Sequence, residues 1–344
     1  MEFYKIMPKI ELHLHMEGAI PYSALFQLIQ KYGGNEEIKS PENLEHRFIF
    51  KNFAHFIEQW VWKNQFIREY EDFRFIAENV AKDLKRQNVK YAEMFISPSD
   101  FKKCGLYCQK IIEEVYKGIS AVSGIDISLI IDLVRDFGAD NALKTLNEIN
   151  EMKKFGIIGI GLGGSEHEYP PELFSEVFET ARNMGFKTTV HSGEACGAES
   201  VKKAVEFLKP DRIGHAVNAA YDNALLKKIA ELKIPVELCP ISNIKTGAIK
   251  SAEFYPIEKF IEYGIPFSIN TDDPKMFGNS LADEYMLIEK KLGCGHTGMA
   301  NFILNSIDTT WLSKDKKDAL KICFKEEYSR VSKTQYDNQD RSRP

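Results

Sequence analysis

Lys9-Ile10-Glu11-Leu12-His13-Leu14-His15-Met16-Glu17-Gly18 has the pattern of a buried β-strand that ends in a turn. Ile10, Leu12 and Leu14 suit an apolar environment. Side chains at i and i+2 of a strand share a face, so His13 and His15 point the same way. Two imidazoles on one face can bind one metal ion.

Seven further short apolar or β-branched runs follow, at 90–96, 128–134, 158–163, 187–191, 212–216, 235–239 and 266–270. Longer stretches with helical spacing separate them, at 142–155, 171–185, 199–207, 223–232 and 257–264. Gly185 and Gly264 stand where a left-handed cap ends a helix. Alternating strand and helix signals call for parallel βαβ units, and eight of them close most simply into a (β/α)8 TIM barrel. About 75 residues lie between the first and second runs, too many for one crossover helix. They predict several helices over the barrel mouth, in an insertion at about 20–87. The C-terminal part predicts helices at about 293–335, and the polar segment 338–344 a frayed end. The expectation is one barrel domain over residues 1–344.

Composition narrows the function classes. The chain has 344 residues, 44% of them hydrophobic, and a formal net charge of −5 with scattered basic residues. That gives no reason to expect nucleic-acid binding. No apolar run reaches about 18 residues, and no signal peptide pattern opens the chain, so a soluble cytoplasmic protein is expected, without membrane association. Six separated cysteines without a C-x-x-C pair predict isolated reduced thiols; Cys104 and Cys108 would be neighbours on a helix. The oligomeric state is left open.

In such a barrel, side chains at the C-terminal strand ends point into the active-site mouth. That end would gather His13 and His15 from strand one, His191 from strand five, His215 from strand six, and Asp272 and Asp273 from strand eight. Taken singly, each motif has an ordinary structural explanation. A His-x-His can be packing, Gly193 can mark a turn, and Asp272-Asp273-Pro274 can cap a helix. Packing does not explain their joint placement at one end of four strands. Three nitrogen ligands, a carboxylate and spare acid–base groups make the inventory of a zinc hydrolase.

These stretches resemble the adenosine deaminase family of zinc purine deaminases. The matching segments are Pro8-Lys-Ile-Glu-Leu-His-Leu-His-Met-Glu-Gly-Ala19, Val190-His-Ser-Gly-Glu-Ala195, Arg212-Ile-Gly-His215, Glu237-Leu-Cys-Pro-Ile-Ser-Asn-Ile-Lys-Thr-Gly-Ala248 and Ser268-Ile-Asn-Thr-Asp-Asp-Pro274. They occur in family order from about Lys5 to about Val331. The resemblance implies one zinc ion per chain, held by His13, His15, His191 and Asp272. It implies a zinc-activated water that attacks C6 of a 6-aminopurine and releases ammonia. His215 would take the water proton and stabilise charge, and Glu194 would protonate ring nitrogen N1. Glu194 must then keep its proton near neutral pH, so burial should raise its pKa. His15, Glu17, the Gly164 N–H and Asp273 would contact the substrate, with Gly164 at N3 and Asp273 at N7. Phe53, Phe56 and Trp60 are candidates for an apolar lid, or for core packing.

Strand four holds no lysine to bridge two metals, which favours one zinc. The H-x-E with P-C-x-x-C signature of the unrelated zinc deaminases is absent. Three departures bear on substrate. Glu17 stands where adenosine-specific members usually carry Asp, and glutamate there is common in relatives acting on adenine or on 5′-modified nucleosides. Gly163 differs from an Asp common in adenine deaminases, whereas Thr246-Gly247-Ala248 looks like bacterial adenosine deaminases. Ser192 replaces a usual alanine and could add a hydrogen bond to a zinc ligand. The main expectation is deamination of adenosine and deoxyadenosine. Adenine or a 5′-modified adenosine is the alternative, and a zinc- or nucleoside-binding protein without turnover is a remote one. The partner is a small purine nucleoside or base.

Overall fold

A computed structural model of the chain describes residues 2–50 and 53–341, with the side chains at 53–54 and 334–341 outside the description. Eight parallel strands run in sequence order around a (β/α)8 barrel. They are β1 (Lys9–His15), β2 (Val89–Ile96), β3 (Asp126–Asp132), β4 (Ile157–Gly161), β5 (Lys187–Ser192), β6 (Arg212–His215), β7 (Val236–Leu238) and β8 (Phe267–Ile269). Each neighbouring pair is parallel.

Closure of the ring happens just beyond β8. The Asp272 N–H donates to the His13 carbonyl at 3.0 Å, and the His15 N–H donates to the Asp272 carbonyl at 3.0 Å. Side chains complete the seam: Asn270 Oδ1 accepts from the Leu12 N–H, and Glu11 accepts from the backbone and hydroxyl of Thr271. The backbone that carries three candidate metal ligands is therefore the backbone that closes the barrel.

Strand β1 is buried along its whole length, as a parallel strand covered on both faces must be. Removing each of Ile10, Leu12 and Leu14 from water contributes roughly 1.5–3 kcal/mol. Glu11, His13 and His15 share the other face, turned into the barrel. Lys9 plugs its bottom by donating to the carbonyls of Lys5, Met7 and Gln87.

The expected insertion consists of helices Tyr22–Lys31, Glu42–Arg47 and Phe53–Asn64. A fourth helix, Tyr70–Arg86, packs against Cys108–Ser120 and serves as the regular crossover to β2. The C-terminal helices are Leu281–Leu292, Gly295–Ile307 and Lys314–Arg341. The fraying expected over 338–344 falls on side chains and, at 342–344, on residues outside the described ones. Gly185 and Gly264 have φ of 81° and 65°, the left-handed caps that their sequence positions called for.

Several boundaries differ from expectation. β3 stops at Asp132 rather than 134, because Val134 takes φ 47° and cannot continue a strand. The expected helix 171–185 splits into a 3₁₀ turn, Pro171–Phe174, and a helix, Ser175–Asn183. Cys104 and Cys108 do not share a helix, since left-handed Gly105 separates their elements, and all six cysteines are free. A short helix, Glu2–Ile6, was not expected; it packs on Leu281–Leu292 and Lys314–Arg341. Among the described residues no helix is long and apolar enough to cross a membrane.

Candidate active site

His13 and His15 leave β1 beside His191 on β5 and Asp272 beyond β8. His191 Nε2 is 3.0 Å from both His13 Nε2 and His15 Nε2. Asp272 Oδ1 is 3.6 Å from His13 Nε2 and 3.5 Å from His15 Nε2. A tetrahedral ion with bonds near 2.05 Å needs ligand atoms about 3.3 Å apart. The four groups are within 4.8 Å of one another and offer three nitrogens and one oxygen to a common point. They fit one metal ion.

A charged chain holds the first ligand from behind. His13 Nδ1 is 2.7 Å from Glu237 Oε2, so the ring presents Nε2 to the ion. Glu237 Oε1 accepts from Arg212 Nε at 2.6 Å, and Arg212 Nη1 pairs with Glu93 Oε2 at 2.6 Å. The guanidinium stacks on the Trp311 ring at 3.7 Å and donates to the Thr309 carbonyl. Glu237 stays below the usual carboxylate range because, although burial opposes it, Arg212 and His13 favour its charged form. Ser242 Oγ donates to Asp272 Oδ2 at 2.6 Å. Arg135 Nη2 donates to the His191 carbonyl at 2.7 Å.

Glu194 follows β5 in a loop clamped from both sides. Glu166 accepts the N–H groups of Gly193, Ala195 and Cys196, while Asn218 Nδ2 donates to the carbonyls of Gly193, Glu194 and Cys196. The Glu194 carboxyl faces His215, with Oε2 3.4 Å from Nε2, and accepts from Thr246 through Oε1. Burial, then Asp272 and Glu166, push Glu194 up to about 8, in the direction its expected role requires. Asn243 Nδ2 donates to His215 Nδ1 at 3.0 Å, while Tyr255 donates to Asn243 Oδ1. That orientation leaves the His215 proton on Nε2, aimed at the site. Burial pulls His215 down to about 3, so the ring is neutral. His215 and Asp272 have φ of 62° and 65°, conformations that non-glycine residues adopt only where the surroundings enforce them.

The mouth collects the substrate candidates. Glu17 and Asp273 are buried, and one oxygen of each, Glu17 Oε2 and Asp273 Oδ1, has no hydrogen-bond partner. Gly18 packs against Asp273 so closely that a Cβ would sit 1.8 Å from Oδ1. Gly164 is exposed, at φ 100°, and a Cβ there would sit 1.9 Å from Asp136 Oδ2. Trp60 stands edge-on to the His15 ring at 6.3 Å, whereas Phe56 stacks on Phe277 at 5.2 Å and anchors the helix. The Phe53 side chain lies outside the described residues. Ser192 bonds Glu166 and Ser200 and makes no hydrogen bond to a metal-ligand ring, contrary to expectation.

A sequence profile described as adenosine deaminase matches residues 8–324. The chain belongs to the adenosine deaminase family. It is 33% identical over 316 residues to an aminodeoxyfutalosine deaminase of Streptomyces coelicolor, covering 90% of this chain and 82% of that protein. An adenine deaminase of Vibrio parahaemolyticus is 28% identical, with 92% and 94% covered. A solved amidohydrolase of Burkholderia ambifaria with bound zinc superposes with a TM-score of 0.87 at 26% identity, covering 97% of this chain and 93% of that one. Members of the family are hydrolytic, metal-dependent enzymes acting on purines.

Sequence reasoning brought together every candidate metal ligand but assigned no role to the groups behind them. Glu237 and Ser242 stood in a quoted motif without a function, and Glu166, Asn218 and Arg135 gave no local signal. Their partners are about 25 to more than 200 residues away, so only the fold reveals them.

Proposed function

We propose that this chain is a zinc-dependent hydrolytic deaminase of a 6-aminopurine nucleoside, with an adenosine modified at its 5′ end as the preferred substrate. The observation that carries the reading is the pairing of a four-ligand pocket with a carboxyl, Glu194, that faces an imidazole, His215.

When bound by His13, His15, His191 and Asp272, zinc supplies a Lewis acid that makes water nucleophilic near neutral pH. Glu194 gives its proton to N1, which draws electrons from C6. His215, with Nδ1 taken by Asn243, stabilises developing negative charge through its Nε2–H. Of the two roles the family suggests for His215, this orientation supports that one. Burial and the neighbouring Asp272 keep a proton on Asp273, which donates from Oδ1 to N7, and the Gly164 N–H donates to N3, holding the base flat. Water adds, ammonia leaves, and a 6-oxopurine remains.

Relatives named for aminodeoxyfutalosine and adenine direct the substrate away from plain adenosine. The unpartnered oxygen of Glu17, beyond the groups assigned to the base, favours a nucleoside. Adenine is the second reading, favoured by the adenine deaminases among the relatives. Ammonia release from zinc-loaded protein, with 5′-deoxyadenosine, 5′-methylthioadenosine, adenosine and adenine side by side, tests the choice. The 5′-modified nucleosides should give the highest kcat/KM. Turnover of adenine alone overturns the nucleoside reading.

A further inference from the structure

The short helix Pro240–Lys245 after β7 carries side chains that touch three different groups of the site. Ser242 donates to Asp272, and Asn243 donates to His215. The third is Thr246, the residue that ends the helix, whose Oγ1 is 3.3 Å from Glu194 Oε1. Both ends of the helix are held. Buried Glu284 accepts the Ile241 N–H at 3.1 Å. After left-handed Gly247, at φ 82°, the Ile249 N–H returns to the Asn243 carbonyl at 2.8 Å.

Thr246 Oγ1 has a second neighbour. The Ser242 carbonyl is 3.0 Å away, the back-bond to residue i−4 that a helical threonine can make. A hydroxyl has one hydrogen to give and two lone pairs with which to accept. It cannot donate to the Ser242 carbonyl and to the Glu194 carboxyl at once. Both contacts are satisfied when Thr246 donates to Ser242 and a protonated Glu194 donates from Oε1 to Thr246. When Glu194 is a carboxylate, the hydroxyl has to turn and donate to Oε1. That turn does not orphan the Ser242 carbonyl, which keeps the Thr246 N–H at 2.8 Å. Among the described residues Thr246 is the hydrogen-bond partner of Oε1, while His215 approaches the other oxygen, Oε2.

We propose that Thr246 is a positioning residue for the proton donor, with a hydroxyl that accepts from Glu194 before proton transfer and donates to it afterwards. The proposal rests on the deaminase reading above and deepens it. In the transfer the Glu194 O–H bond breaks, its electron pair stays on the carboxylate, and an N1–H bond forms. Rotation of one hydroxyl gives the new charge a donor at the moment it appears. Water brings two protons into each turnover. One leaves in ammonia, the other restores Glu194, and the hydroxyl turns back. The remaining groups that act on Glu194 are Asp272 from beyond β8, Glu166 from the loop after β4 and His13 from β1, and none of them hydrogen-bonds Oε1.

The test compares Thr246→Val, which keeps the shape and removes the hydroxyl, with Thr246→Ser, which keeps the hydroxyl. The first readout needs no turnover. The carboxylic C=O stretch of Glu194 is isolated in the zinc-loaded chain as the infrared difference between each protein and the same protein carrying Glu194→Gln. Thr246→Val should move the band to higher wavenumber, because the acid loses its acceptor. It should also raise the pH at which the band disappears, because the carboxylate loses its donor. Thr246→Ser should leave both as in wild type. The second readout is kinetic. Thr246→Val should lower kcat roughly 10- to 100-fold, the worth of one hydrogen bond to a charged group, with KM nearly unchanged, and Thr246→Ser should recover most of it. An unmoved band in Thr246→Val overturns the proposal, as does a Thr246→Ser variant as impaired as Thr246→Val. If Thr246→Val does not fold, Thr246→Ala carries the same comparison. A band that moves as expected in a chain that releases no ammonia from any 6-aminopurine contradicts the deaminase reading and leaves the hydroxyl exchange standing. Absence of a Glu194 band at every pH counts against both.

Discussion

Glu237 Oε2 lies 2.7 Å from His13 Nδ1, and both side chains are fully buried. The carboxylate fixes which nitrogen of His13 faces the metal pocket and makes that nitrogen a better donor. Replacing Glu237 with Gln keeps the size and removes the charge. Zinc affinity, measured by competition with a chelator, should fall about 10- to 100-fold. Unchanged affinity would mean that the contact is packing alone.

Arg212 lies between Glu93 and Glu237 with 1% of its side chain exposed. Arg212→Met would strand two buried carboxylates, a loss of about 3–5 kcal/mol when one partner of a buried pair is removed. Urea unfolding of the metal-free protein should show a midpoint lowered accordingly. A loss below about 1 kcal/mol would place the arginine among surface-like ion pairs.

The acid role of Glu194 has a pH signature. Its pKa is raised, so the protonated, proton-donating form persists above the ordinary carboxylate range and is lost as pH rises. Burial places the titration at about 8 in the metal-free protein, and a bound dication draws it lower. The kcat/KM profile should therefore descend toward alkaline pH, between the ordinary carboxylate value and about 8. Glu194→Gln should retain zinc and lose roughly 100-fold or more of its deamination rate, the scale of a positioned acid. An alkaline limb that persists unchanged in Glu194→Gln would assign it to another group.

Gly18 permits the approach of Asp273. A Cβ 1.8 Å from Asp273 Oδ1 forces that carboxylate aside. Gly18→Ala should raise KM for the nucleoside by roughly 10-fold, the effect of one misplaced hydrogen bond. Zinc content, read by metal analysis, should stay at one per chain, because Asp272 is held separately by Ser242.

The barrel was legible because strand and helix periods alternate along the chain, and the expected spans of β1, β5 and β7 differ from the observed ones by at most one residue at either end. The candidate ligands were legible because His13 and His15 share a face and because strand ends converge in a closed barrel. Val134 escaped because a β-branched residue at φ 47° follows from the turn after β3 and not from local propensity. The support groups escaped for a different reason. Glu237 looks like any buried strand residue until Arg212 and His13 are placed beside it. Glu166 reveals itself only through three backbone N–H groups contributed by the loop after β5.

Metal dependence of ammonia release tests the central claim most directly. The protein would be stripped with a chelator, its zinc content measured, and zinc restored stepwise while ammonia is followed from a 5′-modified adenosine. The account predicts loss of turnover on stripping and full recovery at one zinc per chain. Undiminished ammonia release from metal-free protein would contradict it.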